Sequence, residues 1–360
     1  MTQNLRISLI LLFFINICFA GQPIDFTPHG SQPGLQFGLE GGSKCHSCHA
    51  GHSNSQNYAV DEKNMPYNTW AGSMKAQATR DPLFWAAVDV ANNDIPGVGE
   101  FCIRCHTPQG WMKGHVVKPA VQGAPLLDGA NGCELWGDHT ERGTQNNDYT
   151  GVTCHFCHRI DEKGPSGEPH MIGNSNIWVD DEVCEGGFGP CRKGPYSYTD
   201  SGPYQPPPHE WAYSSFIQKG EFCGACHDVS SPEIEQGGML VIAKKLILND
   251  GTVTNVAMPI ERTYSEWKKS LFSDLIYRDS LEFVDSEVIP YINKGETCQG
   301  CHMPNTNDPG ARSCVFPGYE REGDLKTHQF AGGNSWMPQV IKNTYGDDLE
   351  LVDEGIKGLL

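Results

Sequence analysis

Residues 45–49 read Cys45-His46-Ser47-Cys48-His49, and this Cys-x-x-Cys-His pattern decides the fold because it returns four times. The further copies are Cys102-Ile103-Arg104-Cys105-His106, Cys154-His155-Phe156-Cys157-His158, Cys223-Gly224-Ala225-Cys226-His227 and Cys298-Gln299-Gly300-Cys301-His302. The chain of 360 residues contains 15 Cys and 14 His; composition alone yields about 0.02 copies. Two cysteines three apart lie on one side of a helical turn. There they can form thioethers to the two vinyl groups on one edge of a haem, and the adjacent histidine then points at the iron. Zinc sites would pair Cys-x-x-Cys units with one another and need no trailing histidine each time. A thioredoxin-like redox pair would occur once. The reading is therefore five c-type haems, with iron as their metal. They are held covalently by Cys45, Cys48, Cys102, Cys105, Cys154, Cys157, Cys223, Cys226, Cys298 and Cys301, with His49, His106, His158, His227 and His302 as proximal ligands.

Hydrophobic residues make up 38% of the chain, too few for a conventional aliphatic core at this length, and apolar haem plates take up that interior role. A chain that wraps five haems brings neighbours close, and haem iron is a one-electron carrier. The nine histidines outside the proximal positions are more than enough to supply a second axial ligand to every iron. His209 in PPPHEW, His328 in KTHQFAGGN and His170 in GEPHMIGN form the first set of distal candidates, because each lies in a Gly- or Pro-bearing segment that can drape over a haem face. His52, His115, His139 and Met74 form a second set. His46 and His155 lie inside motifs and are read as exposed or packing residues, and His29 belongs to the N-terminal stretch.

Arg6 precedes an apolar run from Ile7 to Ile15 broken only by Ser8, and NICFA follows to Ala20. This reads as a secretory signal over residues 1–20, cleaved after Ala20. As a transmembrane anchor the run is shorter than the roughly 20 residues a span needs, and the bulky Ile17 argues against lipid attachment at Cys18. Export places the protein in the periplasm or outside the cell, where thiols can be oxidised. Cys133, Cys184, Cys191 and Cys314 are then left for two disulfides, with three connectivities open. Cys184 and Cys191 flank the loop EGGFGP and pair most simply with each other, leaving Cys133 with Cys314. The net charge of −18 excludes nucleic-acid binding as the main role.

Asp81 and Pro82 read as the cap and first residue of a helix within Tyr67–Asn93. Met239–Met258 reads as a hairpin about Asn249-Asp250-Gly251, followed by a helix over Pro259–Phe272 with Trp267 and Leu271 on one face. Asp181–Pro208 is rich in Gly and Pro and reads as loop. Gly-Glu precedes three motifs, at Gly99-Glu100, Gly220-Glu221 and Gly295-Glu296, where the acid favours a helix N-terminus. The fold class is mainly α with extensive coil and a small β-hairpin, a multihaem cytochrome c fold organised around covalently bound haems. One pentahaem region covers residues 21–360, with a loose subdivision near residue 200.

The stretches WAGSMKAQATRDPLFWAA, FCIRCHTPQGW, GVTCHFCHR, FCGACHDVSSP, PIERTYSEWKKS and TCQGCHMP, between Trp70 and Pro304, resemble multihaem c-type cytochromes of the tetrahaem cytochrome and hydroxylamine-oxidoreductase superfamily. The resemblance implies stacked haem pairs and electron transfer in the periplasm or at the cell surface. Pentahaem nitrite reductases end one motif in Lys, whereas all five motifs here end in His, so that assignment is set aside. The leading expectation is an electron-transfer cytochrome working between other redox proteins or cytochromes. The alternative is a multihaem oxidoreductase with one five-coordinate haem acting on a small nitrogen or sulfur compound. A third reading is a subunit that associates end to end to extend a haem chain.

Overall fold

The computed structural model describes residues 32, 35–50, 64–95, 98–115, 135–137, 147–164, 167, 172–198, 204–236, 239–270, 297–306, 311–316, 318–321, 323–334 and 336–345. The leader read over residues 1–20 lies outside the described residues, as do His29, His52, Cys133, His139 and His170.

Short helices carry the motifs. The first motif lies on α1 (Gly42–His49). Next come α2 (Pro66–Ala71) and α3 (Pro82–Asp94), each started by a proline whose fixed φ suits the first helical position. Asp81 caps α3, its Oδ1 accepting hydrogen bonds from Leu83 N at 2.8 Å and Phe84 N at 3.3 Å. The second motif lies on α4 (Gly99–His106), and α5 (Pro108–Met112) follows it after a break at Thr107. The third lies on α6 (Cys154–Cys157) and the turn at His158. The fourth opens on α7 (Gly220–Gly224) and closes in the following turn, where His227 N donates to Cys223 O at 3.0 Å. Then come α8 (Thr263–Lys269), α9 (Cys298–His302) with the fifth motif, and α10 (Trp336–Tyr345).

The strands form two-stranded pieces. β1 (Arg192–Gly194) pairs in parallel with β2 (Trp211–Tyr213). Antiparallel pairs join β3 (Val229–Ser230) to β8 (Pro259–Glu261), β4 (Glu233–Gln236) to β5 (Met239–Ile242), and β6 (Lys245–Ile247) to β7 (Val253–Ala257). The Asn249–Gly251 turn joins β6 to β7, with Gly251 at φ 84°. The first half of the expected hairpin is different: Met239–Ile242 pairs backwards with β4. The helix expected from Pro259 starts instead at Thr263. Its first residues pair with β3, and Arg262 holds the corner through Asp228 at 2.7 Å and Ser230 Oγ at 2.6 Å. Within the stretch read as loop, Arg192 N bonds Glu210 O at 3.2 Å and opens β1.

The main buried cluster joins Phe84, Trp85 and Val88 of α3 to Ile103 of α4, Trp111 and Met112 of α5, and Phe156 of α6. It is rich in aromatic side chains and backs onto the motif helices. Arg159, next to the third motif, is wholly buried. It donates from Nη1 to Phe37 O at 2.7 Å, from Nε to Asp180 O at 2.8 Å and from Nη2 to Asp181 Oδ1 at 2.9 Å. Breaking a buried pair by removing one partner costs about 3–5 kcal/mol. Arg159→Ala should therefore lower unfolding stability by about 3 kcal/mol, read as a drop in the denaturant midpoint.

Candidate cofactor site

A cavity of about 1300 Å³ runs through the centre, lined by both cysteines of each of the first four motifs, by His49, His106, His158, His227, His209 and His328, and by Gln299 and Gly300 of the fifth. It exceeds the roughly 300–1000 Å³ of a single small-molecule pocket, and protein interiors otherwise hold few voids larger than a water.

The motif thiols meet across this cavity in an order unlike that of the sequence. Cys45 of the first motif lies close to Cys154 of the third. Cys226 of the fourth lies close to Cys105 of the second, and Cys223 of the fourth to Cys298 of the fifth. Cys157 of the third is close enough to feel both Cys223 and Cys226 electrostatically. The order in space is thus first, third, fourth, with the second and fifth both against the fourth. Gly220 and Gly224 let α7 take that central place, since an added Cβ would come within 2.7 Å of the Trp267 ring and 2.6 Å of the Tyr264 ring on α8.

The histidines are prepared in one way. Nδ1 of His49 donates to Ser313 O at 2.5 Å, of His158 to Lys193 O at 2.6 Å, of His302 to Ala331 O at 2.5 Å, and of His106 to Ala78 O at 3.4 Å. Such a bond fixes the ring and leaves the Nε2 lone pair for a metal. His209 and His328 do the same, to Glu210 O at 3.0 Å and Lys326 O at 3.1 Å. Burial is the first cause that lowers the pKa of His49, His106, His158 and His209, and it pushes His227 to about 4 and His328 to about 3. All six are neutral imidazoles, the form that binds metal.

Two distal candidates face proximal ones. The ring centres of His49 and His209 are 6.4 Å apart, and those of His158 and His328 are 6.3 Å apart. An imidazole nitrogen sits about 2 Å from the metal it binds, so rings on opposite sides of one metal have centres about 6 Å apart. Phe84 stacks on His106 at 3.9 Å. His227 faces Lys75 instead of a histidine, with Nε2 3.1 Å from Nζ. Sequence reasoning passed over Lys75, though it adjoins Met74 in a segment already marked.

The other candidates are placed differently. His115 bonds Asp148 Oδ2 at 2.6 Å and stacks on Trp136 at 4.0 Å, and it is not among the residues lining the cavity. Met74 lines the cavity and packs against Met337 and Ile341. His46 packs edge-on against Tyr67. Cys184 and Cys191 form a disulfide. Cys314 is buried beside Cys48, and its expected partner Cys133 lies outside the described residues. Among the described residues no group of three or more His, Cys, Asp or Glu side chains converges to hold a metal ion, as a tetrahedral zinc site requires. The motif thiols, the oriented imidazoles and the apolar walls are of the kinds that covalently held haem requires.

His155 adds a buried group beside the third motif. Its Nδ1 accepts from Glu40 N at 2.9 Å, which places the ring proton on Nε2, and Nε2 is buried with no hydrogen-bond partner. Burial first, then Arg159 and Arg192, lowers its pKa from 6.5 to about 3. The folded state keeps this ring neutral while the unfolded chain protonates it below about pH 6.5. The stability it contributes is full above that pH and is lost as pH falls toward about 3. Between these limits the wild type should lose more stability than His155→Gln, as measured by urea unfolding at stepped pH.

Compared with protein-family models, curated proteins and solved structures, the chain matches none.

Proposed function

We propose that this chain is an exported pentahaem c-type cytochrome that carries single electrons along closely spaced haems between redox partners. The observation that carries the reading is the facing of motif and distal imidazoles, His49 with His209 and His158 with His328, at 6.4 and 6.3 Å between ring centres. It places a second imidazole opposite the histidines of two of the five attachment motifs present in the sequence, as a multihaem cytochrome reading requires.

Haem, when bound, supplies a one-electron iron couple. The cysteines of each motif would hold it by thioethers, and the motif histidine would bind through Nε2. The carbonyls of Ser313, Lys193 and Ala331 lock three of these rings, and Ala78 a fourth, so that little rearranges on electron transfer. Phe101, Phe156 and Phe222 give the cavity apolar walls. The adjacency of the motifs makes the fourth a junction, with the first, second and fifth as ends. The acidic charge favours basic redox proteins as partners, and end-to-end association can join an end site to a second copy. The Cys184–Cys191 disulfide suits an oxidising compartment, and among the described residues no helix is long and apolar enough to cross a membrane.

Protein made with a working cytochrome c maturation system should contain five haems per chain by pyridine haemochrome assay, with five covalent additions in the intact mass. Colourless protein, or protein that binds metal without porphyrin, would overturn the reading.

A further inference from the structure

We propose that Lys75 is the sixth iron ligand at the fourth motif, so that this site pairs an amine with the His227 imidazole instead of pairing two histidines. The inference rests on haem being attached at Cys223 and Cys226. The observation behind it is direct: Lys75 Nζ lies 3.1 Å from His227 Nε2, the ring nitrogen that the other motif histidines leave free for metal. The two nitrogens share a hydrogen bond at the cavity wall, and because donors on opposite sides of one metal stand about 4 Å apart, the flexible lysine side chain has to draw back by only about 1 Å to admit an iron between them.

The surroundings of Lys75 favour a ligand over a surface charge. The side chain is half-buried. Its amine bonds His227, lies 5.0 Å from the Phe330 ring and is close enough to Cys157, Cys223 and Cys226 to act on them electrostatically, and among the described residues it forms no ion pair with a carboxylate. Its backbone is held from the other side. Val152 N donates to Lys75 O at 2.9 Å, and Gly151, at φ 66°, lies so close that an added Cβ would be 2.2 Å from that carbonyl. Trp70 Nε1 donates to Val152 O at 2.9 Å and ties the same segment to the entry of the third motif. The amine is therefore delivered to His227 by a braced segment.

Among the described residues the competing histidine candidates are engaged elsewhere. His209 faces His49, His328 faces His158, and His115 is bound to Asp148. Coordination uses the Nζ lone pair: the ammonium gives one proton to solvent, a bond forms between nitrogen and iron, and no electron is transferred.

The test uses the full mature protein, its haem content measured first. In the wild type, near-infrared magnetic circular dichroism should resolve one imidazole–amine site among five low-spin haems. Lys75→Ala should keep five haems, turn one of the five high-spin by EPR, and bind carbon monoxide at that one when reduced. Lys75→His should restore the low-spin state with the spectrum of a bis-imidazole site. The proposal is overturned if the wild type shows no imidazole–amine site, if one wild-type haem is already high-spin, or if Lys75→Ala leaves the spectra unchanged. The wild-type spectrum decides even if a variant does not fold. A chain lacking haem would defeat the cytochrome reading itself; five haems with no amine site would defeat only the role of Lys75.

Discussion

His328→Ala should convert one haem in five from low-spin to high-spin while the other four keep their spectra. His328 is half-buried, and its Nδ1 is committed to Lys326 O at 3.1 Å. Its backbone N–H donates to Thr69 Oγ1 at 2.9 Å, which anchors the segment independently of the ring. Removing the imidazole therefore takes away the group facing His158 without freeing the loop. His209→Ala should act in the same way on the His49 site, and the double variant should show two high-spin haems. His115→Ala is the control. That ring is bonded to Asp148 and stacked on Trp136, so its loss should leave every haem low-spin. EPR of the oxidised protein, with carbon monoxide binding after reduction, gives the count. Unchanged spectra in His328→Ala and His209→Ala would refute the pairing.

On the proposed pentahaem reading, loss of the fourth attachment motif should break the electron path. The thiols of this motif lie close to Cys105 of the second motif, Cys298 of the fifth and Cys157 of the third. His227 is also close enough to His106 and His302 to feel them electrostatically. In a Cys223→Ala/Cys226→Ala variant the remaining four haems fall into three groups: the first with the third, the second alone, and the fifth alone. Stopped-flow reduction should then split into separate phases, with equilibration among the four slowed more than tenfold. A Cys102→Ala/Cys105→Ala variant also loses one haem, but from an end. Its other four should still equilibrate as one set. Equal behaviour of the two variants would rule out the junction.

The local elements were legible where a local cause sets them. Asp81-Pro82 starts a helix because a carboxylate can accept from the next turn's N–H groups and proline suits the first position. Cys184 and Cys191 are close in sequence, and their loop brings them together. The reading failed where a distant partner competed. Pro259–Glu261 has helix-compatible neighbours but pairs with Val229–Ser230, and Met239–Ile242 is claimed by Glu233–Gln236. Arg192–Gly194 became a strand because Glu210 and the residues after it lie alongside. His115 had the composition of a ligand candidate, and the buried Asp148 carboxylate took it.

By itself the sequence carried the proposal of covalent haem attachment, since each Cys-x-x-Cys-His motif needs only five consecutive residues and one helical turn to place two thiols and an imidazole together. Which distal side chain meets which motif, and which motif stands at the junction, only the tertiary structure decided. Those choices join His49 to His209, His158 to His328 and Lys75 to His227. They depend on packing between segments far apart in the chain, where no local period records the partner.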